Sequence, residues 1–138
     1  MALKVELKPG EKMIIGNCVI TNSDQRTKLF LEGSAPILRE KDILTPATAD
    51  TPAKSVYLAI QIMYVDQSTE KLQRNYFELV NDIIRAAPST LPLIDQINNE
   101  ILTGDLYKAL KIAKKLIEYE RGLLSNAASG SAGLSTDG

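Results

Sequence analysis

The chain has 138 residues, with 16 Lys and Arg against 17 Asp and Glu, so its net charge at pH 7 is -1. This balance argues against a protein that coats nucleic acid or anionic membranes through charge alone. The absence of histidine removes the commonest general base, and a single cysteine excludes an internal disulfide and the familiar zinc spacings. Only 5% of the residues are aromatic and none is tryptophan, so base-stacking platforms are not expected. The composition predicts a small globular protein that is not an enzyme and holds no cofactor or metal.

The N-terminal segment does not have the pattern of an export signal. Glu6 and Glu11 fall where an apolar run would be needed, and the longest uncharged apolar stretch, residues 55–65, is well below the ~20 residues that cross a bilayer. We therefore expect a cytoplasmic protein with no membrane partner. Cys18 lies in a short apolar stretch with Val19 and Ile20, which favours a buried, unreactive thiol.

The first 45 residues have the period of short β-strands. Leu3 to Leu7 alternate apolar and polar side chains, and turn signals such as Pro9-Gly10 separate the apolar segments that follow. The expected strands cover residues 3–7, 13–15, 18–21, 28–32 and 37–39. This pattern predicts an antiparallel meander or small barrel over residues 1–45. Such a module has little apolar area, so it should dimerise or pack on the rest of the chain.

The remainder of the chain follows a helical period. Residues 46–51 form a linker, and Thr51-Pro52 suits an N-cap followed by proline in the first turn. Apolar residues then recur every three or four positions over residues 52–125, with Gly104 and Asp105 separating the last two of about four helices. Residues 126–138 lack any period, which predicts a disordered tail. The predicted fold is α+β, with a β-strand module followed by a helical module.

A basic face is predicted on the last helix. Lys108, Lys111 and Lys115 are spaced by three and four residues and so share one side. They form either a solvated face, with Lys114 and Glu118 as an ion pair, or a secondary patch for RNA phosphates or an acidic partner.

Four stretches of the chain resemble the alphaproteobacterial FlbT family of flagellum biosynthesis repressors. They are LKVELKPGEKMIIGNCVITN, APILREKDILTP, TPAKSVYLAIQIMY and YKALKIAKKLIEYE, and the resemblance extends over residues 1–126. It implies a regulator of flagellin synthesis that acts after transcription. Such a regulator engages the 5′ untranslated region of flagellin mRNA, limits its translation or lifetime, and works with a companion flagellar regulatory protein.

The N-terminal segments PGEKMIIG and APILREKDI are also similar to the carbon storage regulator CsrA, a β-strand RNA-binding dimer, although Leu7 stands where that family has an arginine. The similarity implies CsrA-like strands, a homodimer, and RNA contacts at Lys8 and Arg39. The alternation of the first strand adds Lys4, and Lys41 lies at the edge of the same site. The other interpretation is that Arg39 forms a surface ion pair with Glu40 or Asp42.

Two functions follow from these expectations. The first is direct binding of the flagellin mRNA leader. The alternative is a protein-binding adaptor or chaperone-like module, in which the helical half docks a companion regulator or flagellin.

Overall fold

The computed structural model describes residues 2–66 and 70–137, apart from the side chains of residues 70, 71 and 128–137. Five strands come first: β1 (Leu3–Leu7), β2 (Lys12–Ile15), β3 (Cys18–Thr21), β4 (Thr27–Leu31) and β5 (Ile37–Arg39). Four helices follow: α1 (Pro52–Asp66), α2 (Glu70–Ala86), α3 (Leu91–Leu102) and α4 (Leu106–Asp137). One-turn 3-10 helices cover Glu40–Asp42 and Pro88–Thr90. The α+β class predicted from the sequence is confirmed.

The strands form two small antiparallel sheets. β1 pairs with β4, with Leu3 opposite Leu31 and Leu7 opposite Thr27, whereas β2 lies between β3 and β5. A simple meander would pair each strand with its neighbour in sequence, and β1 departs from that order. Val5, Leu7 and Met13 are buried between the two sheets and form a small core of their own. Leu7 therefore faces this core, at the position where CsrA-like proteins have an arginine.

The larger core lies among the helices. α4 packs against α1 and α3, and α1 also packs against α2. The apolar positions that recur every three or four residues point inward. They include Val56, Ile60, Met63, Tyr76, Val80, Ile83, Ile94, Ile97, Ile101, Ala109, Leu110, Ala113 and Leu116. Across the described ranges 2–66 and 70–137, none of the helices is long and apolar enough to span a membrane.

Helix ends form where the sequence predicts them. Thr51 Oγ1 accepts a hydrogen bond from the Lys54 N–H at 3.2 Å, and Asp105 Oδ1 accepts one from the Lys108 N–H at 3.0 Å. Gly104 has a φ of 86°, and the Gly104 and Asp105 N–H groups bond back to the last turn of α3. This is the Schellman arrangement, which satisfies carbonyl groups that the helix leaves open.

Two glycines give a matched test of this backbone. Replacing Gly104 with alanine should lower the free energy of unfolding by about 1 kcal/mol, because a Cβ is disfavoured at positive φ. Gly122 lies inside α4 with open space around it, so Gly122→Ala should raise that free energy by about 0.5–1 kcal/mol. Urea denaturation measures both changes, and equal effects of the same sign would contradict this description of the α3–α4 turn.

Polar side chains of α1 bind the segment that leaves the sheet. The Tyr57 hydroxyl donates to the Asp42 carbonyl at 2.6 Å. Gln61 is buried, accepts from the Leu44 N–H at 2.8 Å and donates to the Leu44 carbonyl at 2.9 Å. Both side chains lie on the same face of α1, four residues apart. They replace the β-ladder bonds that residues 42–44 lack, so the chain between the two halves is fixed to α1.

The sheet and the helices also share apolar packing. Leu38 of β5 is 3% exposed and belongs to the helical core. The Ile37 N–H beside it donates to the Tyr64 hydroxyl at 3.2 Å, and Lys114 of α4 forms an ion pair with Asp42. The β-strand segment therefore packs on the helices that follow, as its small apolar area requires.

α4 is described as far as Asp137, and the disordered tail over residues 126–138 stays a prediction. One expectation differs from the structure. Cys18 is exposed, so the prediction of a buried thiol is wrong. The reason is that β3 contributes no residue to either of the described core clusters, and the sequence does not reveal which apolar strand lies away from the core.

Candidate nucleic-acid interface

A cleft opens where β1 ends and the turn to β2 begins. It measures about 670 Å³, and we call it the turn cleft. Its lining residues are Glu6, Lys8, Pro9, Gly10, Glu11, Arg26, Arg39, Glu40 and Lys41. Three of the four predicted β-module site residues, Lys8, Arg39 and Lys41, thus lie together.

Arg39 forms internal bonds at the back of the turn cleft. Its Nη2 donates to the Glu6 carbonyl at 2.7 Å and lies 3.5 Å from Glu11 Oε2. Its Nε is buried and has no hydrogen-bond partner among the described residues. The alternative prediction was a surface ion pair with Glu40 or Asp42. Among the described residues, the acidic partner of Arg39 is instead Glu11. β5 places the guanidinium beside β1 and the β1–β2 turn, not beside its own neighbours in sequence.

Glu11 is held ionised by its surroundings. Its Oε1 accepts the Lys8 N–H at 2.8 Å, and this hydrogen bond, helped by the Arg39 charge, holds the pKa of Glu11 below its usual range. A carboxylate fixed in this way neutralises part of the Arg39 charge. It also fixes the turn that carries Lys8.

The low pKa of Glu11 predicts how stability depends on pH. A depressed folded-state pKa contributes stability above the unfolded value of about 4.5, and this contribution is lost as pH falls through the folded value. Wild type should therefore be more stable than Glu11→Gln at pH 6, and the gap should narrow by pH 3. Thermal unfolding across this range measures the gap. Glu78→Gln, a change on α2 away from the cleft lining, is the control, and a gap that stays constant with pH would contradict the prediction.

The remaining cations of the cleft differ in how far they are neutralised. Arg26 lies 3.6 Å from Glu6, which also has Lys28 at 3.8 Å. Lys8 and Lys41 are exposed and form no side-chain ion pair within the described part of the chain. These two ammonium groups are therefore the charges most available to a phosphate.

A second cavity of about 390 Å³ lies on the other side of Arg39, between β1, β5, α1 and α4. We call it the tyrosine cavity, because Tyr64 and Tyr107 both line it. Lys4, the fourth predicted β-module residue, lines this cavity and not the turn cleft. Arg39 lines both, so the two depressions adjoin at its side chain.

The predicted face of α4 is exposed at Lys108, Lys111 and Lys115. Lys111 Nζ lies 4.9 Å from the centre of the Tyr107 ring, which brings this face to the tyrosine cavity. The predicted ion pair between Lys114 and Glu118 does not form among the described residues. Lys114 pairs instead with Asp42, in the segment that follows β5. Glu118 pairs instead with Arg121, at 2.6 Å.

The aromatic pair is the part of the site that composition did not predict. The Tyr64 and Tyr107 ring centres are 6.0 Å apart, at an interplanar angle of 43°. The two residues are far apart in sequence and come together only because α1 packs on α4. Although the chain has few aromatic residues, the fold places two tyrosine rings in the same cavity as Lys4 and Arg39.

A third depression, of about 820 Å³, lies among the start of α1, the end of α2 and the second half of α4. We call it the apolar groove. Its floor includes Ile83, Leu116, Leu123 and Leu124, and Leu124 is 57% exposed. Asp50, Asp82 and Glu120 also line it, and among the described residues no lysine or arginine does, although Asp50 pairs with Lys54 and Asp82 with Arg85.

The described residues form no group that points to metal or nucleophilic chemistry. In the described ranges, no group of three His, Cys, Asp or Glu side chains could hold a metal ion. The clefts present cations, carboxylates and tyrosines without a paired nucleophile and base. The molecule is an α+β protein with a mixed-charge surface.

The chain belongs to the flagellar protein FlbT family, whose model matches residues 3–124. It is 60% identical to the "Probable flagellum biosynthesis repressor protein FlbT 1" of Bradyrhizobium diazoefficiens over 124 residues, which cover 89% of this chain and 85% of that protein. The Rhodopseudomonas palustris TIE-1 relative is 50% identical over 91% of this chain and 99% of its own. The "Flagellum biosynthesis repressor protein FlbT" of Caulobacter vibrioides ATCC 19089 is 38% identical over 94% of both. These relatives are named as repressors, not as enzymes.

No solved structure matches this chain. The similarity to CsrA thus rests on the sequence segments alone. In the structure β1 pairs with β4 of the same chain, and the sheet of β3, β2 and β5 packs on helices of that chain through Ile14 and Leu38.

Proposed function

We propose that this protein represses flagellum biosynthesis in the cytoplasm by binding the 5′ untranslated region of flagellin mRNA and limiting its translation or stability. The names of the relatives support repression. The observation that carries the RNA step is the grouping of Lys4, Lys8, Arg39 and Lys41 along two adjoining cavities. Arginine binds phosphates and base edges through its planar fork, and lysine neutralises phosphate.

The charges set the character of this binding. The net charge is near zero, and Glu6, Glu11 and Glu40 line the same cleft as the cations. Only a few phosphates can therefore be neutralised, and long double-stranded RNA gains little from such a surface. Binding should favour an unpaired segment of the leader whose bases can be splayed out.

Cell-free translation tests repression directly. Purified protein added to a reporter that carries the flagellin leader should reduce its synthesis several-fold, and the same reporter with an unrelated leader should be unaffected. A Lys8→Gln/Lys41→Gln variant should repress less. Lys12→Gln, an exposed change on β2 outside the cleft lining, is the matched control. Equal repression of both leaders would overturn the proposal.

The apolar groove supports a second candidate, the protein-binding adaptor. Its apolar floor suits the apolar face of an amphipathic helix, and Glu120, whose carboxylate forms no ion pair among the described residues, suits a lysine or arginine beside that face. We propose a companion flagellar regulatory protein as its source. Leu124→Asp should abolish co-purification of that companion and leave RNA binding unchanged. Loss of flagellin binding instead would identify flagellin as the occupant, and no loss of either would remove this candidate.

A homodimer stays a prediction. The edge strand β3 exposes Val19 at 65%, and β4 exposes Phe30 at 69%, so two open sheet edges carry large apolar side chains. Sedimentation equilibrium at tens of micromolar should give about twice the chain mass of 15.1 kDa. A mass near that of one chain would rule out the dimer.

A further inference from the structure

Tyr107 combines exposure with a position inside a cavity. It is the second residue of α4 and is 45% exposed, although its ring lines the tyrosine cavity. Tyr64 limits the cavity on the α1 side, with its hydroxyl accepting the Ile37 N–H. The packing of α1 on α4 therefore holds an aromatic surface at the mouth of a small cavity.

Cations surround this aromatic surface. Lys4 and Arg39 line the cavity, and Lys111 lies over the Tyr107 ring. The carboxylate of Asp42, which also lines the cavity, is neutralised by Lys114. A planar base with a phosphate beside it matches both features, because a base stacks on tyrosine and the lysine and arginine side chains donate hydrogen bonds to its phosphate.

We propose that the tyrosine cavity binds one unstacked base of single-stranded RNA, which stacks on Tyr107 after displacing the Lys111 side chain from that ring. Lys111 is exposed, so its ammonium moves to the phosphate of the same nucleotide at little cost. Arg39 lines both cavities, so the adjoining nucleotides continue into the turn cleft. This inference rests on the proposed binding of the flagellin leader and assigns a residue to the base contact.

Cross-linking of 4-thiouridine-substituted leader RNA to the full-length protein locates the base. Cleavage at lysine and arginine isolates Tyr107 in the peptide of residues 86–108, which contains no other tyrosine. We expect the cross-link in this peptide. We also expect Tyr107→Ala to weaken leader binding roughly tenfold, whereas Tyr107→Phe binds as wild type does because stacking needs only the ring.

The matched control is Tyr119→Ala, which removes a tyrosine of similar exposure on the same helix outside this cavity and should bind RNA normally. Lys111→Gln should retain the cross-link and reduce the salt dependence. Wild-type binding with no cross-link in residues 86–108 and no effect of Tyr107→Ala would overturn this inference alone. No leader binding by the wild type would overturn the proposed function with it. Binding of free uridine 5′-monophosphate as tightly as RNA would make the cavity a nucleotide site and contradict the inference.

Discussion

Replacing Gln61 with leucine should lower the free energy of unfolding by about 2–4 kcal/mol, one of the largest effects that a single polar residue of this chain can have. Gln61 satisfies both the N–H and the carbonyl of Leu44, and leucine would leave both groups without partners in a part-buried position. Urea denaturation monitored by circular dichroism measures the change. The transition should remain single, because the sheet segment and the helices share a core at Leu38.

Gln96 supplies the control for this prediction. It lies exposed on α3, so Gln96→Leu should change the free energy of unfolding by less than about 0.5 kcal/mol. A small effect of Gln61→Leu, or a transition that splits into separate steps for strands and helices, would show that α1 does not hold the two halves together.

The second large effect is expected at Arg39. Arg39→Ala would remove its bonds to Glu6 and Glu11 as well as any RNA contact, so Arg39→Lys is the more informative change. Lysine keeps the charge and loses the planar fork, which should weaken specific leader binding by about 1–3 kcal/mol if the fork contacts a base edge.

Lys8→Gln should instead weaken the binding of all RNAs alike. It should also lower the slope of log affinity against log salt concentration by roughly one ion.

Binding isotherms with the leader and with a scrambled RNA of equal length separate these two effects. Folding of each variant is checked by circular dichroism. The opposite result would be normal binding by Arg39→Lys together with lost binding by Lys115→Glu, whose side chain lines neither the turn cleft nor the tyrosine cavity. It would move the site to α4 and favour the adaptor.

Local patterns were sufficient to predict most elements of the fold. β1, β3 and β5 have the predicted bounds, and the caps at Thr51 and Asp105 form as expected. These features depend on alternation, turn residues and side chains within a few positions of each other. The pairing of β1 with β4 and the exposure of Cys18 depend on contacts distant in sequence, which no local pattern contains.

The candidate site shows the same limit. Residue type and strand alternation were enough to select Lys8, Arg39 and Lys41, which the fold brings to one cleft. The composition gave no reason to expect the approach of Tyr64 to Tyr107, because it arises from helix packing. Gln61 was missed too, since nothing in a helical period distinguishes a buried amide that binds distant backbone from a solvated one.

Binding of the purified protein, with no companion present, to fluorescently labelled flagellin leader RNA at 50 and 200 mM salt tests direct RNA binding most directly. Three or four phosphate contacts by Lys4, Lys8, Arg39 and Lys41 to single-stranded RNA predict an affinity that falls by roughly 20- to 50-fold between the two conditions. Salt-insensitive binding, or binding that appears only when the companion protein is added, would contradict the account.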